Sequence, residues 1–185
     1  MIADKYHLKK SAYPKGLKVV MRDFPVIKGA YQDKYIQVYA GVSKNSYTVQ
    51  SGGSSSRYKT PLTVVRVKPK QKMFNVFTLK AKKNYKLKKG ASVDIQQFEE
   101  YFDLNVDAER LPLANSLLND SVKMALLNFL VLYKDSSSNI IMDEHGFWKS
   151  ELLYETRTLY RYQRASAMLD ILLSISEHTN AIARQ

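Results

Sequence analysis

The chain is 185 residues long, contains no cysteine and carries a formal charge of +12. Without thiols it forms no disulfide, no thiolate zinc site and no cysteine nucleophile, and their absence fits a reducing compartment. A hydrophobic fraction of 45% is that of an ordinary folded protein, so wholesale disorder is excluded, and the length suits one domain or one domain with a helical appendage.

Residues 1–16 combine Tyr6, Tyr13, Lys9, Lys10 and Lys15 with Pro14 and Gly16, and read as a basic arm. No apolar run follows Met1, so no secretory leader is expected. From Leu17 the pattern turns to period two, the mark of a strand with one buried face. Segment 17–22 is the first such strand. In segment 35–40, Ile36, Val38 and Ala40 share one face and Tyr35, Gln37 and Tyr39 the other. Segment 45–50 continues the pattern, with Tyr47 and Val49 together. Ser51-Gly52-Gly53-Ser54-Ser55-Ser56 is the only low-complexity stretch and reads as a hairpin loop; small residues would also let backbone N–H groups approach a phosphate. It matches no phosphate-loop motif. Two further strands are expected at 62–68 and 72–80, separated by Pro69-Lys70-Gln71, and a lysine-rich turn closes this half at residues 82–90.

After Gly90 the chain becomes acidic and helical. Asp94 with Gln97 fits a capping box that opens a short helix through Glu99, Glu100 and Tyr101. Leu111-Pro112 interrupts. Asn119-Asp120-Ser121 caps a helix over 122–133, where Val122, Ala125, Leu126, Phe129, Leu130 and Tyr133 recur at helical spacing and predict burial nearly all round. Asp135 to Asn139 is a loop and Gly146 a turn. The longest helix is expected over 148–176, with Leu152, Leu159, Tyr162, Leu169 and Leu173 on one face and Arg157, Arg161 and Arg164 on another. The longest apolar stretch, 124–133, is too short to span a bilayer, so no transmembrane segment is expected.

Charge is distributed unevenly. Residues 1–90 hold 21 lysines and arginines against Asp4, Asp23 and Asp33, a balance of +18, while residues 91–185 hold 8 against 14 acids, a balance of −6. Such a field attracts nucleic acid, an anionic membrane surface or an acidic protein. The lysines supply sequence-independent phosphate attraction, and tyrosines between them offer bases a surface to stack on. The candidate contact residues are Lys80, Lys82, Lys83, Lys86, Lys88 and Lys89, with Arg66, Lys68, Tyr35, Tyr39 and Tyr85. Lysine outnumbers arginine 18 to 3 in this half, which favours phosphate contact over base reading.

No catalytic pattern emerges. His7, His145 and His178 are scattered, and Gly-x-Ser-x-Gly is absent. A metal-dependent nuclease would need clustered carboxylates. Asp143-Glu144-His145 is the densest group, and it reads as a solvated turn. Glu99 and Asp103, four apart on the expected helix, read as a wet face.

The expected fold is therefore α+β. An antiparallel sheet or small open barrel of about five to six short strands in residues 1–90 packs with about three helices in residues 91–185. The expected protein is a non-enzymatic, largely sequence-nonspecific binder of RNA or DNA, without cofactor or metal, in the cytoplasm, the nucleus or a virion. The alternative is a self-assembling structural protein of viral matrix type, a homo-oligomer that coats an anionic membrane or packages nucleic acid. The metal-dependent nuclease is the minor alternative.

Overall fold

The computed structural model describes residues 2–11, 26–51, 54–82, 93–133, 139–155 and 157–182, with only the backbone described for 44–51, 54–59, 180 and 182. Among these residues, eight strands form one antiparallel sheet: β1 (Lys9–Ser11), β2 (Val26–Tyr31), β3 (Lys34–Ser51), β4 (Ser54–Lys68), β5 (Phe77–Ala81), β6 (Phe102–Val106), β7 (Asn139–Met142) and β8 (Trp148–Leu153). Five α-helices accompany them: α1 (Ile2–Lys5), α2 (Phe98–Tyr101), α3 (Leu111–Leu117), α4 (Asp120–Tyr133) and α5 (Thr158–Ile182). The mixed α+β class is as expected, with more strands and more helices than the sequence pattern showed.

Strand order is β1-β2-β3-β4-β8-β7-β5-β6. The acidic half thus inserts β7 and β8 into the middle of the sheet and adds β6 at one edge. Alternation sets the two faces. Ile36, Val38, Val65, Val67, Trp148 and Leu152 are essentially inaccessible to solvent and point toward the helices. Their neighbours Tyr35, Gln37, Arg66, Lys68, Lys149 and Glu151 lie on the opposite face. Two hairpin turns use local chemistry. Gln32 and Asp33 both adopt positive φ, 46° and 64°, between β2 and β3, which matches the twist of a two-residue hairpin. Between β7 and β8, Asp143 Oδ1 accepts from the N–H groups of His145 and Phe147, each at 3.0 Å, and Gly146 takes φ +76°. A Cβ there would also crowd Lys72 Cβ at 3.2 Å, so glycine is favoured on both counts.

Several elements differ from expectation. The helix expected over 148–176 begins at Thr158. Trp148, Ser150 and Leu152 face the core from strand β8, which pairs with β4 on one side and β7 on the other. The spacing of Trp148 and Leu152, four apart, suits one helix face and one strand face equally, and burial between two strands decides it. Shortly before α5, the Glu155 carboxylate accepts from the Arg157 guanidinium at 3.0–3.2 Å and from Arg157 N at 3.1 Å, which holds its pKa down to about 2. Within α5, Tyr162, Leu169 and Leu173 are buried as expected, whereas Leu159 is 72% exposed and Arg161 and Arg164 are buried. Arg161 lies over the Tyr154 ring and Arg164 donates to Leu153 O, so these arginines fasten α5 to the end of β8.

The arm expected at residues 1–16 is not an arm where it is described. Ile2, Ala3, Tyr6 and Leu8 belong to the core, and Lys9–Ser11 is a sheet strand. Its apolar residues were too few to show a period. Of segment 72–80 only Phe77 onward is strand; Phe74 is buried beneath Trp148 while Val76 is exposed. Pro112 sits in the first turn of α3, where its missing N–H costs nothing, and so opens a helix rather than ending one. Asp103 lies on β6, not on a helix with Glu99. Asn119 caps α4 through Val122 N at 3.0 Å, and Asp94 caps the 3₁₀ turn before α2 through Gln96 N at 3.0 Å. Helix α4 leaves Asn128 and Leu132 in solvent and is buried on one side only. Segment 17–22 lies outside the described residues.

Helix α1 is fixed to α5 by Asp170, which receives hydrogen bonds from the Tyr6 hydroxyl and from Lys5 Nζ at 2.8–2.9 Å. Burial, together with the neighbouring carboxylate, pushes the Tyr6 phenol up to about 12. An unfolded tyrosine titrates near 10. The Tyr6 contribution is therefore complete below about pH 10 and is lost as pH rises through 12, a change on the order of 2 kcal/mol. Wild type is expected to lose more stability than Tyr6→Phe between pH 9 and pH 11.5 in denaturant titrations. Equal losses would show that the Tyr6–Asp170 bond does not set the alkaline limit.

Candidate nucleic-acid interface

Among the described residues, every helix packs on the inner face of the sheet, and the outer face carries the charges. Backbone register lines up Lys9, Lys28, Gln37, Arg66 and Lys149 across β1, β2, β3, β4 and β8. At roughly 4.8 Å per strand this row spans about 19 Å. Lys9 and Lys28 are direct register partners, both exposed, an arrangement of like charges that costs stability unless an anion lies nearby. Lys68 stands opposite Tyr35 on the same face. Among the described residues no carboxylate lies within ion-pair distance of Lys9, Lys28, Lys68 or Lys80.

Arg66 plays another part. Its Nη2 is 2.6 Å from Asp143 Oδ2, its Nη1 donates to Gln37 Oε1 at 3.3 Å, and the Phe147 ring covers its guanidinium at 4.0 Å. With a side chain only 16% exposed, it is a clamp that holds the β7–β8 turn on the sheet. Asp143 is thus a turn former and ion-pair partner, while Glu144 and His145 stay exposed. Lys149 is likewise paired, with Glu151. Among the described residues the cations of this row without an ion-pair partner, Lys9 and Lys28, lie at one end of it.

The expected contact residues separate in space. Tyr35, at 38% exposure, half-buried Tyr39 and Lys68 share the outer face of β3 and β4, opposite Ile36 and Val38 as the alternation required. Lys80 and Lys82 belong to β5 and its end, which is four strand steps, about 19 Å, from β3. Lys80 is exposed on the outer face, whereas Lys82 Nζ donates to Glu99 O at 2.7 Å and lies 3.4 Å from Asp103. Lys83, Tyr85, Lys86, Lys88 and Lys89 lie outside the described residues. Lys9, Lys28 and Lys149 were not among the expected contacts. Lys28 was missed because β2 was: its signal is the apolar Val26-Ile27 pair before a two-residue polar turn, but Gln32-Asp33 lacks the glycine that marks such turns.

On the helical side, an apolar groove of about 340 Å³ runs between α4 and α5, lined by Phe129, Leu132, Tyr133 and Ile171; its carboxylate, Asp170, is engaged by Lys5 and Tyr6. Among the described residues no three His, Asp or Glu side chains gather where a metal could bind. No described helix is long and apolar enough to cross a membrane. No protein-family model, curated protein or solved structure matches the chain.

Proposed function

We propose that this protein is a non-enzymatic nucleic-acid-binding protein that holds the phosphate backbone on the helix-free face of its sheet. The observation that carries this reading is the group of Lys9, Lys28 and Lys68 beside Tyr35, three exposed cations with no carboxylate in reach among the described residues. Lysine attracts phosphate by Coulomb force and by counterion release, and an exposed tyrosine ring gives an unpaired base a stacking surface. The high lysine content supports little sequence preference.

Affinity for DNA or RNA of mixed sequence is expected to fall steeply with salt. The log–log slope should have a magnitude of about 3–6, as four to seven neutralised phosphates require. Fluorescence anisotropy from low to moderate salt measures it, and a flat response or no binding at low salt would overturn the reading. The same cations attract anionic lipid at about 1 kcal/mol per basic residue. Flotation with phosphatidylserine vesicles runs beside the titration, and vesicle binding without strand binding would move the function to a membrane coat.

A further inference from the structure

At the edge of the sheet away from β1, strand β6 pairs with β5 on one side, and among the described residues no strand pairs with it on the other. The ladder shows which of its backbone groups face that open edge. Lys82 N donates to Tyr101 O at 2.9 Å, one step past the Ala81↔Phe102 pair. Opposed residues of an antiparallel pair alternate between bonded and unbonded. Asp103 and Asn105 therefore bond to Lys80 and Thr78, while Phe102, Leu104 and Val106 turn their N–H and C=O groups away from β5. The other side of β5 agrees: Asp143 N donates to Phe147 O, and the same alternation turns Ile140 toward Leu79. The Phe102 N–H is taken by Phe98 O at the end of α2. Among the described residues no hydrogen bond engages the outward groups of Leu104 and Val106.

An open edge of this kind is a template for a further strand. The side chains around it say which strand. On the helix side a groove of about 430 Å³ joins Leu104 to Phe98 and Leu111, and Leu111 is 45% exposed. The charged residues of that groove are Lys82, Lys123, Glu99 and Asp103, two of each sign. A polyanion finds no net attraction there. The opposite edge carries Lys9 and Lys10 with Lys28 behind them, so two such edges repel. A twofold contact needs a patch complementary to itself, and the neutral, partly apolar β6 edge meets that need.

The register follows from the same residues. A twofold axis through Leu104 sets Leu104 against its copy, Phe102 against Val106, and Asp103 against Asn105. The apolar residues then share the helix side, and each carboxylate meets an amide. Leu104 N–H reaches Leu104 C=O of the second copy, and Val106 N–H reaches its Phe102 C=O. A slip of one residue would set apolar side chains against polar ones.

We propose that β6 is a dimerisation edge, at which two copies of this chain join antiparallel through Leu104 into one continuous sheet. Opposed residues of an antiparallel pair lie on the same face, so the helix-free faces of both copies look the same way. The inference stands apart from the nucleic-acid reading.

Sedimentation velocity on the full chain, freed of nucleic acid by a high-salt wash, tests it. The contact is small, so a dissociation constant of about 1–100 µM is expected, read by scanning from about 1 to 500 µM. Asn105→Asp sets a second carboxylate against Asp103 of the other copy, twice per dimer, and should weaken association about 10-fold. Adding Asp103→Asn exchanges the two groups and should restore affinity to within about threefold, which a general loss of stability would not do. Leu104→Pro removes the outward N–H without touching the β5 ladder and should abolish the dimer over the whole range. Should that variant fail to fold, the exposed Asp103 and Asn105 exchange still decides. A single-chain mass at every concentration overturns the proposal. So does a continuing series of masses, which would mean a head-to-tail contact, and so does a dimer indifferent to these variants, which would join through another face.

Discussion

Trp148→Ala is expected to cost about 3–5 kcal/mol, the range for deleting a large buried aromatic side chain. Trp148 is inaccessible to solvent, and its ring meets Phe77 edge-on at 4.8 Å and Phe74 at 5.8 Å. Its Nε1 donates to Thr179 Oγ1 at 3.3 Å, which joins the centre of the sheet to the last turns of α5. The substitution removes both the packing and that bond. Against the roughly 5–15 kcal/mol total stability of a typical domain this is a large share, and the melting temperature should drop by about 10 °C or more. Leu159→Ala is the matched control: at 72% exposure it should change stability by no more than about 0.5 kcal/mol. Were residues 148–176 one amphipathic helix, Leu159 would share a buried face with Leu152 and the control would fail. Because the chain has a single tryptophan, its fluorescence reports the same point. Emission should be blue-shifted and protected from quencher until the protein unfolds.

The combined change Lys9→Gln, Lys28→Gln and Lys68→Gln should lower affinity for every nucleic acid by about 100-fold at 0.1 M salt and reduce the salt slope by about 2.7. These side chains lie on the helix-free face without ion-pair partners among the described residues, and the one ring contact, Lys68 Nζ at 5.4 Å from the Phe147 centroid, is exposed and weak, so folding depends little on them. Relieving the Lys9–Lys28 juxtaposition should leave stability unchanged or raise it by a few tenths of a kcal/mol. That opposition of signs, affinity down and stability level or up, separates a binding surface from a structural one. Lys82→Gln alone should change affinity far less, since Lys82 is engaged by Asp103 and the Glu99 carbonyl. If the triple variant binds as tightly as wild type, the face is a solubilising surface and the contacts lie elsewhere.

Much of the strand content was legible because its cause is local. Alternation in residues 35–40 and 62–68 predicts which side chains are buried, and the structure places Ile36, Val38, Val65 and Val67 inside and Tyr35 and Lys68 outside. The helix caps at Asn119 and Asp94 were legible for the same reason: a side-chain acceptor two or three residues before a free N–H acts within one turn. The excess of lysine in the first half was plain from composition, and with it the attraction to polyanions.

Strand partners were not legible, because pairing joins residues far apart in sequence. Nothing local says that β8 inserts between β4 and β7, and so nothing local says that Trp148 is core rather than the start of a helix. The same holds for the site. The sequence grouped cations by proximity along the chain and so put Lys80 and Lys82 with their lysine-rich neighbours. The sheet instead brings Lys9, Lys28 and Lys68 onto one face with Tyr35, and commits Arg66 and Lys82 to carboxylates supplied by the acidic half. Charge, alternation and caps follow from the order of residues alone, since each depends on neighbours within a few positions. Which of the described lysines lack an acidic partner follows from folding alone, because a lysine's availability depends on whether the register of a distant strand sets an acid beside it.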